Sequence, residues 1–314
     1  MGRFVLYRAF SLVGVLIAIS ILTFLIFQAI PNGDPALRLA GRLATPQVVE
    51  DVRHQWGFDK PIYVQYAKTM DEIFTGKVIS YTQQVNVLSE IKRDLPATLS
   101  LAIGAGVIWL SMGIVFGVIS ALTAGRFLDR ALTVLALVGV STPVFFIGAM
   151  MLYYLGYKWN LFPLGGYVPL TKNPWQWFTH LLMPWFALSI LFIGVYSRVL
   201  RSTLIDTLNE DYVRAAKAKG ITRRRVLIHH ALRNSLIPVI ALFGLDFAAV
   251  IGGGAILTES VFGLHGVGQY AADSIFRLDV PPLLVITMLT AFTVVLLSAL
   301  MDVLYAVLDP RIRL

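Results

Sequence analysis

Long apolar stretches follow one another along the chain, and each is free or nearly free of charged residues. A transmembrane helix needs about 20 such residues to cross a hydrocarbon core about 30 Å thick. A helix also satisfies its own backbone hydrogen bonds, which is obligatory in lipid. We therefore predict an all-α membrane protein with six transmembrane helices, at about 9–33, 95–125, 131–157, 173–197, 234–258 and 280–301.

The composition supports this fold class, because 57% of the 314 residues are hydrophobic and 14% are charged. Soluble domains average about a quarter charged residues, so a soluble fold is excluded. The absence of cysteine excludes a disulfide framework and thiolate metal ligands. The histidines are scattered, and the adjacent His229 and His230 point about 100° apart on a helix. No metal site is predicted.

Lysine and arginine are distributed unequally between alternate ends of the apolar stretches. The positive-inside rule assigns the richer side to the cytoplasm and places both termini there. The opposite short loops offer Lys158, Lys172 and Arg277. The net charge of +8 is then explained by topology and contact with anionic lipid, and no nucleic-acid partner is predicted. The cytosolic basic residues are Arg3, Arg8, Arg126, Arg130, Arg198, Arg201, the cluster from Arg214 to Arg233, Arg311 and Arg313.

Three regions follow from this topology. Residues 1–30 are predicted to form the first transmembrane helix, and residues 95–314 a core with the other five. Between them, the polar segment 31–94 contains helix signals from Thr45 to Gly57 and from Pro61 to Phe74. We predict a small extracytoplasmic subdomain here, with a mere connector as the alternative.

A strongly basic segment, 204–233, connects the fourth and fifth predicted spans and therefore lies at the cytosolic membrane surface. Asn209 is predicted to cap a short helix at about 210–219, whose last turn is basic. Gly220 stands where a helix C′ residue belongs. This places a short surface helix within reach of a cytosolic partner.

The segment Arg214-Ala215-Ala216, with Gly220 and the later Pro238, resembles the cytosolic loop of the permease subunits of bacterial ABC importers. The arginine in place of the general motif's glutamate and the long spacing to Pro238 are typical of the dipeptide, oligopeptide and nickel branch. Six further motif blocks match that branch in order along nearly the whole chain. They are Pro31-Asn32-Gly33-Asp34-Pro35-Ala36, Leu95-Pro96-Ala97-Thr98-Leu99, Phe162-Pro163-Leu164-Gly165-Gly166, Glu259-Ser260-Val261-Phe262, Gly266-Val267-Gly268 and Asp309-Pro310-Arg311-Ile312-Arg313.

The resemblance implies half of the translocation pathway of an ATP-driven importer in the bacterial inner membrane. Di- or oligopeptides are the first substrate class, while nickel, glutathione and some oligosaccharides stay open as alternatives. The implied partners are a related second permease, two cytosolic ATP-binding subunits and an extracytoplasmic substrate-binding protein. This chain has no Walker loop, so ATP and magnesium are expected in the partner subunits, with no cofactor and no enzyme activity here. The residues expected to contact an ATPase are Asp211, Arg214, Ala215, Ala216, Lys217, Lys219 and Gly220.

The loop between the last two predicted spans, 259–282, is rich in glycine and proline and is predicted to be irregular. The resemblance implies that this loop approaches the substrate-binding protein. The candidate contacts are His265, Gly266 and Arg277.

Two features inside the predicted spans are candidates for the translocation pathway. Asp246 lies midway along the fifth span, where an ionisable group costs several kcal/mol unless it is paired or faces water. It faces the pathway in one interpretation and makes a structural hydrogen bond at a subunit interface in the other. Ser141, Thr142 and Pro143 interrupt the third span and predict a kink that either shapes the pathway or is purely structural.

A secondary transporter driven by an ion gradient is the competing function. Such a protein would show internal repeats and several ionisable groups within its spans. No convincing repeat is present, and Asp246 is the one clear midplane charge. A membrane-embedded enzyme would need a nucleophile with a base, or a metal, near the membrane surface, and no such constellation stands out.

Overall fold

The computed structural model describes residues 2–26, 35–40 and 44–308, whose regular structure is helical apart from an isolated antiparallel bridge between Ile79 and Asn86. The predicted all-α class is confirmed for this part of the chain. Residues 31–34 and 309–314, which include most of the first motif block and all of the last, lie outside it. The first helices are α1 (Gly2–Phe24), α2 (Pro35–Ala40), α3 (Pro46–Trp56), α4 (Ile62–Phe74), α5 (Val87–Leu122), α6 (Phe127–Ser141) and α7 (Val144–Met151), which continues as a π-helical turn (Leu152–Lys158). The remaining helices are α8 (Pro174–Leu208), α9 (Asp211–Ala218), α10 (Arg223–Arg225), α11 (Arg233–Ala249), α12 (Ile256–Phe262), α13 (Val267–Arg277) and α14 (Val280–Leu308), with π-helical turns at Val226–Leu232 and Val250–Gly254.

Several of these helices are long and apolar enough to cross a membrane. A further candidate span is the bent pair formed by α6 with α7 and its π-helical turn. Helix α1 contributes a shorter apolar stretch, Phe10–Phe24. The described residues thus contain four candidate spans, or five when the bent pair counts as one. The four unbroken spans are Val87–Leu122, Pro174–Leu208, Arg223–Gly254 and Val280–Met301.

Helices α5 and α8 pack closely and run parallel to each other. A Cβ atom at Gly113 would lie 2.6 Å from the Cβ of Tyr196, and one at Gly117 would lie 2.8 Å from the Cβ of Leu200. The two glycines, four residues apart on one face of α5, therefore allow the close approach of the two helices. Because the contacts advance in the same direction along both helices, α5 and α8 end on the same side of the bundle. We call this the α9 side, and the opposite side the α3–α4 side.

Helix α6 ends at a sharp break, where the sequence predicts an interruption. Thr142 is extended, with φ −92° and ψ 126°, because a residue before proline is disfavoured in the α conformation. Pro143 stands at the N-cap position of α7, where its missing N–H costs no helical hydrogen bond. The two halves are bent by 98°, so the span is broken rather than kinked.

The segment before α5 forms the two short helices that the sequence predicts. Thr45 caps α3, and Gly57 ends it in the left-handed conformation. Helix α4 follows with the predicted end at Phe74. Helix α5 begins at Val87, before the predicted apolar run, because Asn86 caps it through a hydrogen bond from a backbone amide.

A buried carboxylate ties the segment before α5 to the C-terminal part of the bundle. Asp279, between α13 and α14, is 2% exposed and accepts hydrogen bonds from the hydroxyls of Ser80 and Thr82. It also accepts from the amide of Tyr81 at 2.9 Å. Hydrogen bonds to a charged acceptor are worth about 1.5–3 kcal/mol each. Residues 80–82 are therefore docked on the junction of α13 and α14.

The region 259–282 is not the irregular loop that the sequence predicts. It contains most of α12, all of α13 and the start of α14. Gly263 ends α12 with φ +57°, and Gly266 stands at the N-cap of α13. Pro281 and Pro282 fall in the first turn of α14, where backbone amides have no intrahelical partner. The prediction was wrong because glycine and proline mark helix ends as well as loops.

Candidate coupling, pathway and docking sites

The predicted surface helix is present as α9. Gly220 follows it in the left-handed conformation, with φ +77°, as predicted. The predicted cap Asn209 is wrong, because Asn209 has helical backbone angles and closes α8 instead. Its side-chain amide donates to the carbonyl oxygen of Ile205 at 3.1 Å. Glu210 occupies the N-cap position of α9 without a side-chain hydrogen bond.

Helix α9 has one buried face and one exposed face. Val213 and Ala216 are buried in a cluster with Val226, which starts the π-helical turn before α11. Ala216 is 6% exposed, so its packing contacts lie within the chain. The other predicted contact residues are exposed: Asp211, Arg214, Ala215, Lys217, Lys219 and Gly220.

Packing fixes α9 to the bundle more than charge does. The ion pair between Arg214 and Asp211 is 3.8 Å long and exposed, and such pairs contribute little. The hydroxyl of Tyr212 accepts a hydrogen bond from the side-chain amide of Asn234 at 2.8 Å. The charged face of α9 is therefore available to a second protein.

Asp246 lies in the second half of α11 and is half-buried. Its Oδ2 accepts a hydrogen bond from the hydroxyl of Tyr196 on α8 at 2.9 Å. Tyr196 is fully buried beside the rings of Trp109 and Phe192. Within the described part of the chain no hydrogen bond reaches Oδ1 of Asp246. The carboxylate therefore keeps free capacity for a polar group that enters the span.

The other predicted pathway residues form the break between α6 and α7. Ser141 and Pro143 are exposed, and the Thr142 hydroxyl donates to the carbonyl oxygen of Val138 at 2.7 Å. Among the described contacts, none of the three is hydrogen-bonded to Asp246. Helices α6 and α11 both pack on α8, which is the element that links the two features.

The α3–α4 side holds a buried carboxylate that the sequence did not single out as a site. Glu259 of α12 is 0% exposed, and its Oε1 accepts from the hydroxyl of Thr98 on α5 at 2.7 Å. Its Oε2 accepts from the amide of Gln269 at 2.9 Å, while the Thr98 oxygen accepts from the amide of Val267 at 2.9 Å. Burial raises the pKa of the Glu259 carboxyl, and these hydrogen bonds oppose the shift. The Glu259 node satisfies the first amides of α13 and joins α12, α13 and α5.

Motif blocks that are far apart in the chain meet at this node. A Cβ atom at Gly266 would lie 2.5 Å from Oε2 of Glu259, so only glycine fits there. A Cβ atom at Gly165 would lie 2.3 Å from the carbonyl oxygen of Phe262, which also accepts from the amide of Gly166 at 2.9 Å. The blocks 95–99, 162–166 and 266–268 pack around α12, which contains the block 259–262.

The predicted contacts for a binding protein lie at the two ends of α13. His265 is exposed with φ +51°, and its amide donates to the side chain of Gln269 at 2.8 Å. Gly266 is buried against the Glu259 node. Arg277 lies in the last turn of α13 and is exposed, so the two ends are about 16 Å apart. The candidates therefore lie along one helix rather than in one compact site.

Comparison with known proteins identifies the class. The family of binding-protein-dependent transport system inner membrane components matches residues 113–314, and the model for its N-terminal part matches residues 1–102. The probable peptide ABC transporter permease protein y4tP of Sinorhizobium fredii is 35% identical over 314 residues, covering 100% of both chains. The dipeptide transport system permease protein DppB of Escherichia coli is 34% identical over 338 residues, covering 100% of this chain and 99% of the relative.

A solved structure shares the fold. A chain in the inward-facing MetNI methionine ABC transporter is 15% identical, with a TM-score of 0.57, and the match covers 71% of this chain and 97% of that chain. At this identity the likeness shows the fold alone.

The fold and the sequence matches define the membrane subunit of an ATP-driven importer. The chain belongs to the family of binding-protein-dependent transport system inner membrane components. It is a multi-pass protein of the bacterial inner membrane. This assignment replaces the competing prediction of a gradient-driven secondary transporter.

Proposed function

We propose that this chain forms one half of the peptide pathway of an ABC importer, with a related second permease forming the other half. We infer the substrate class from full-length similarity to proteins named as peptide permeases. The probable D,D-dipeptide transport system permease protein DdpB of Escherichia coli, 34% identical over 97% of this chain, belongs to the same set. Di- or oligopeptides are the substrates. Two partner subunits bind ATP and magnesium and hydrolyse the ATP, while this chain has no catalytic role.

The proposal includes six spans, with the α9 side and both termini in the cytoplasm. Helix α5 ends on the α9 side and α8 begins on the opposite side, so the bent pair between them counts as one crossing. Phe24 packs with Val280 and Leu284 at the start of α14, and Ser20 is hydrogen-bonded to Tyr66 of α4 at 2.7 Å. These contacts support α1 as a crossing that reaches the α3–α4 side. The first span is then 1–30, the extracytoplasmic subdomain 31–94, and the five-span permease core 95–314, with its coupling loop at 204–233.

Helix α9 docks in a cleft of one ATP-binding subunit and moves with it during ATP turnover. Its exposed charged face makes the contact, with Arg214, Lys217 and Lys219 adding surface attraction. Its buried face, through Val213, passes the displacement to the start of α11. Residues 209–210 pass it directly to α8.

On the extracytoplasmic side, α13 and the segment before α5 form one docking surface for a substrate-binding protein. Asp279 supports this arrangement because it fixes residues 80–82 to the end of α13. His265, Gly266 and Arg277 are the proposed contacts on α13. A released peptide then passes Asp246, whose free carboxylate capacity suits the ammonium group of a peptide.

Uptake of a radiolabelled dipeptide tests the substrate class. The purified complex is reconstituted in proteoliposomes with its binding protein, with ATP on the cytosolic side. We expect ATP-dependent uptake of the labelled dipeptide. Unlabelled di- and tripeptides reduce this uptake by competition, whereas nickel ions, glutathione and oligosaccharides leave it unchanged. Uptake of one of those other compounds in place of peptides would contradict the proposed substrate.

Gly220→Glu tests the docking of α9. The change forces a side chain into a left-handed backbone, which costs about 1–2 kcal/mol, and adds a bulky charge beside the contact face. We expect the ATP-binding subunits to be lost on purification and ATP-driven uptake to fall roughly tenfold or more, the effect of 1.4 kcal/mol. Gly57→Glu is the matched control for retention of the ATP-binding subunits on purification, because Gly57 has φ +76° and lies on the opposite side. Intact coupled uptake in an assembled Gly220→Glu complex would show that α9 is not the contact.

A further inference from the structure

An ion pair with a buried carboxylate, on the α9 side, lies outside all the sites described so far. Asp129, in the first turn of α6, is 3% exposed and accepts two hydrogen bonds from Arg201 of α8, at 2.7 Å from Nε and 2.8 Å from Nη2. It also accepts from the hydroxyl of Ser120 on α5 and from the amide of Gly125 at 2.8 Å. Four donors surround the carboxylate, and the bidentate contact fixes its geometry. One side chain thus joins α5, α6 and α8.

Arg201 stands close to α9 along the chain. Helix α8 continues beyond it to Leu208, and residues 209–210 then lead into α9. This helical extension is about 10 Å long, and its backbone hydrogen bonds keep it stiff over two turns. A displacement of α9 therefore reaches Arg201 through the backbone, without a side-chain relay.

Helix α6 also contacts α8 nearer to the break. A Cβ atom at Gly194 would lie 2.6 Å from the carbonyl oxygen of Ala136, and one at Gly139 would lie 3.0 Å from the side chain of Ile190. These glycines allow close approach, and the contacts made there are dispersion contacts, each worth only about 0.1–0.2 kcal/mol. The bidentate ion pair is directional and therefore sets the register of α6 against α8. From Asp129, α6 leads straight to the break before α7.

We propose that Asp129 and Arg201 are positioning residues that make α6 follow α8, so that a movement of α9 reaches the break at Thr142. This inference rests on the proposed docking of α9 to an ATP-binding subunit. Without the ion pair, α8 moves alone and α6 lags behind. A purely structural role would change assembly, whereas a positioning role changes how the two helices move relative to each other during ATP turnover.

The absence of natural cysteine makes the relative movement measurable. Val138→Cys on α6 and Ser202→Cys on α8, both at exposed positions, each carry a nitroxide spin label. Pulsed electron paramagnetic resonance measures the distance between them in the purified complex, nucleotide-free and trapped with ATP and vanadate. With the ion pair intact, we expect the same distance in both states. With Asp129→Asn, we expect a shift or broadening of about 2 Å on trapping, the scale of known helix shifts.

Two variants complete the test. Arg201→Lys keeps the positive charge but loses the bidentate geometry, and is expected to give a smaller shift in the same direction. Arg198→Gln removes an exposed arginine just before Arg201 on the same helix and is expected to cause no shift. If the Asp129→Asn complex does not assemble, the change in the spin-label distance of the Arg201→Lys complex tests the proposal instead.

An unchanged distance on trapping in the assembled variants, with ATP hydrolysis retained, would overturn the proposal. So would a distance that already changes on trapping while the ion pair is intact. Failure of the proposed α9 docking gives a different result: a Gly220→Glu complex would keep its ATP-binding subunits on purification.

Discussion

Thr98→Val tests whether the Glu259 node holds α13 in place. The substitution preserves the shape of the side chain but removes the hydroxyl that donates to Glu259 at 2.7 Å and accepts from Val267 at 2.9 Å. Two buried groups then lose a partner, and each unsatisfied group costs about 1–3 kcal/mol. We expect the first turn of α13 to lose about 2–6 kcal/mol of local stability, because the Val267 amide lies in that turn and the Glu259 carboxylate holds the turn through the amide of Gln269. Because 1.4 kcal/mol corresponds to a tenfold change in an equilibrium constant, a loss of about 2 kcal/mol or more makes local opening at least about 30-fold more frequent.

Hydrogen exchange read by mass spectrometry measures this opening in the purified complex, because amide exchange follows local unfolding. The amides of Val267 and Gln269 are expected to exchange at least about 30-fold faster, with α8 unchanged. Thr293→Val is the matched control, because the Thr293 hydroxyl donates at 2.8 Å to a carbonyl of its own helix. Thr293→Val is expected to change local stability by no more than about 0.5 kcal/mol. Exchange in α13 that is equally slow in both variants would refute the reasoning.

Three further predictions concern the other sites. Asp246→Asn keeps an acceptor for Tyr196 but removes the charge, so the complex assembles while peptide uptake falls roughly tenfold; wild-type uptake with unchanged specificity would remove this residue from the pathway. Gly113→Ala places a Cβ atom 2.6 Å from Tyr196 and is expected to lower the Tm of the complex, since overpacking costs about 1–3 kcal/mol. Gly14→Ala, with nothing within 4 Å, is the control that does not lower Tm, because alanine is favoured over glycine inside a helix. Asp279→Ala removes the acceptor for the loop before α5, so limited proteolysis is expected to cut that loop faster than in the unchanged protein, and equal cleavage rates would contradict the docking.

Helix ends could be predicted where the signal is local. Thr45, Gly57 and Gly220 mark ends that the structure confirms, because caps and left-handed glycines act on the next few residues. Asn209 shows the limit of this reasoning. Both Asn209 and Glu210 lie between two helices, and the extension of α8 takes the asparagine into its own last turn. Tertiary packing decides to which of two neighbouring helices a residue between them belongs, and a local sequence pattern does not reveal that packing.

The partners of the buried carboxylates could not be predicted, because they come from distant parts of the chain. Glu259 contacts Thr98, which lies 161 positions earlier, and Asp279 contacts Ser80, which lies 199 positions earlier. Periodicity places each of these residues on an element but not beside its partner. The motif blocks carried the available signal, since Glu259 opens one block and Thr98 lies in another. Their order along the chain identified the family, while their meeting point required the folded structure.

The buried carboxylates hold some helices to one another, while two helix breaks leave the chain without regular helix geometry. Glu259 fixes α12 and α13 to α5, and Asp129 fixes α6 to α8. The breaks lie at Thr142 and at Gly253, whose φ of +122° is a conformation that side chains rarely adopt. Within the described ranges, no buried carboxylate is hydrogen-bonded to the backbone at either break. If α9 docks to an ATP-binding subunit as proposed, we expect a displacement that enters through α9 to change the backbone angles mainly at Thr142 and Gly253.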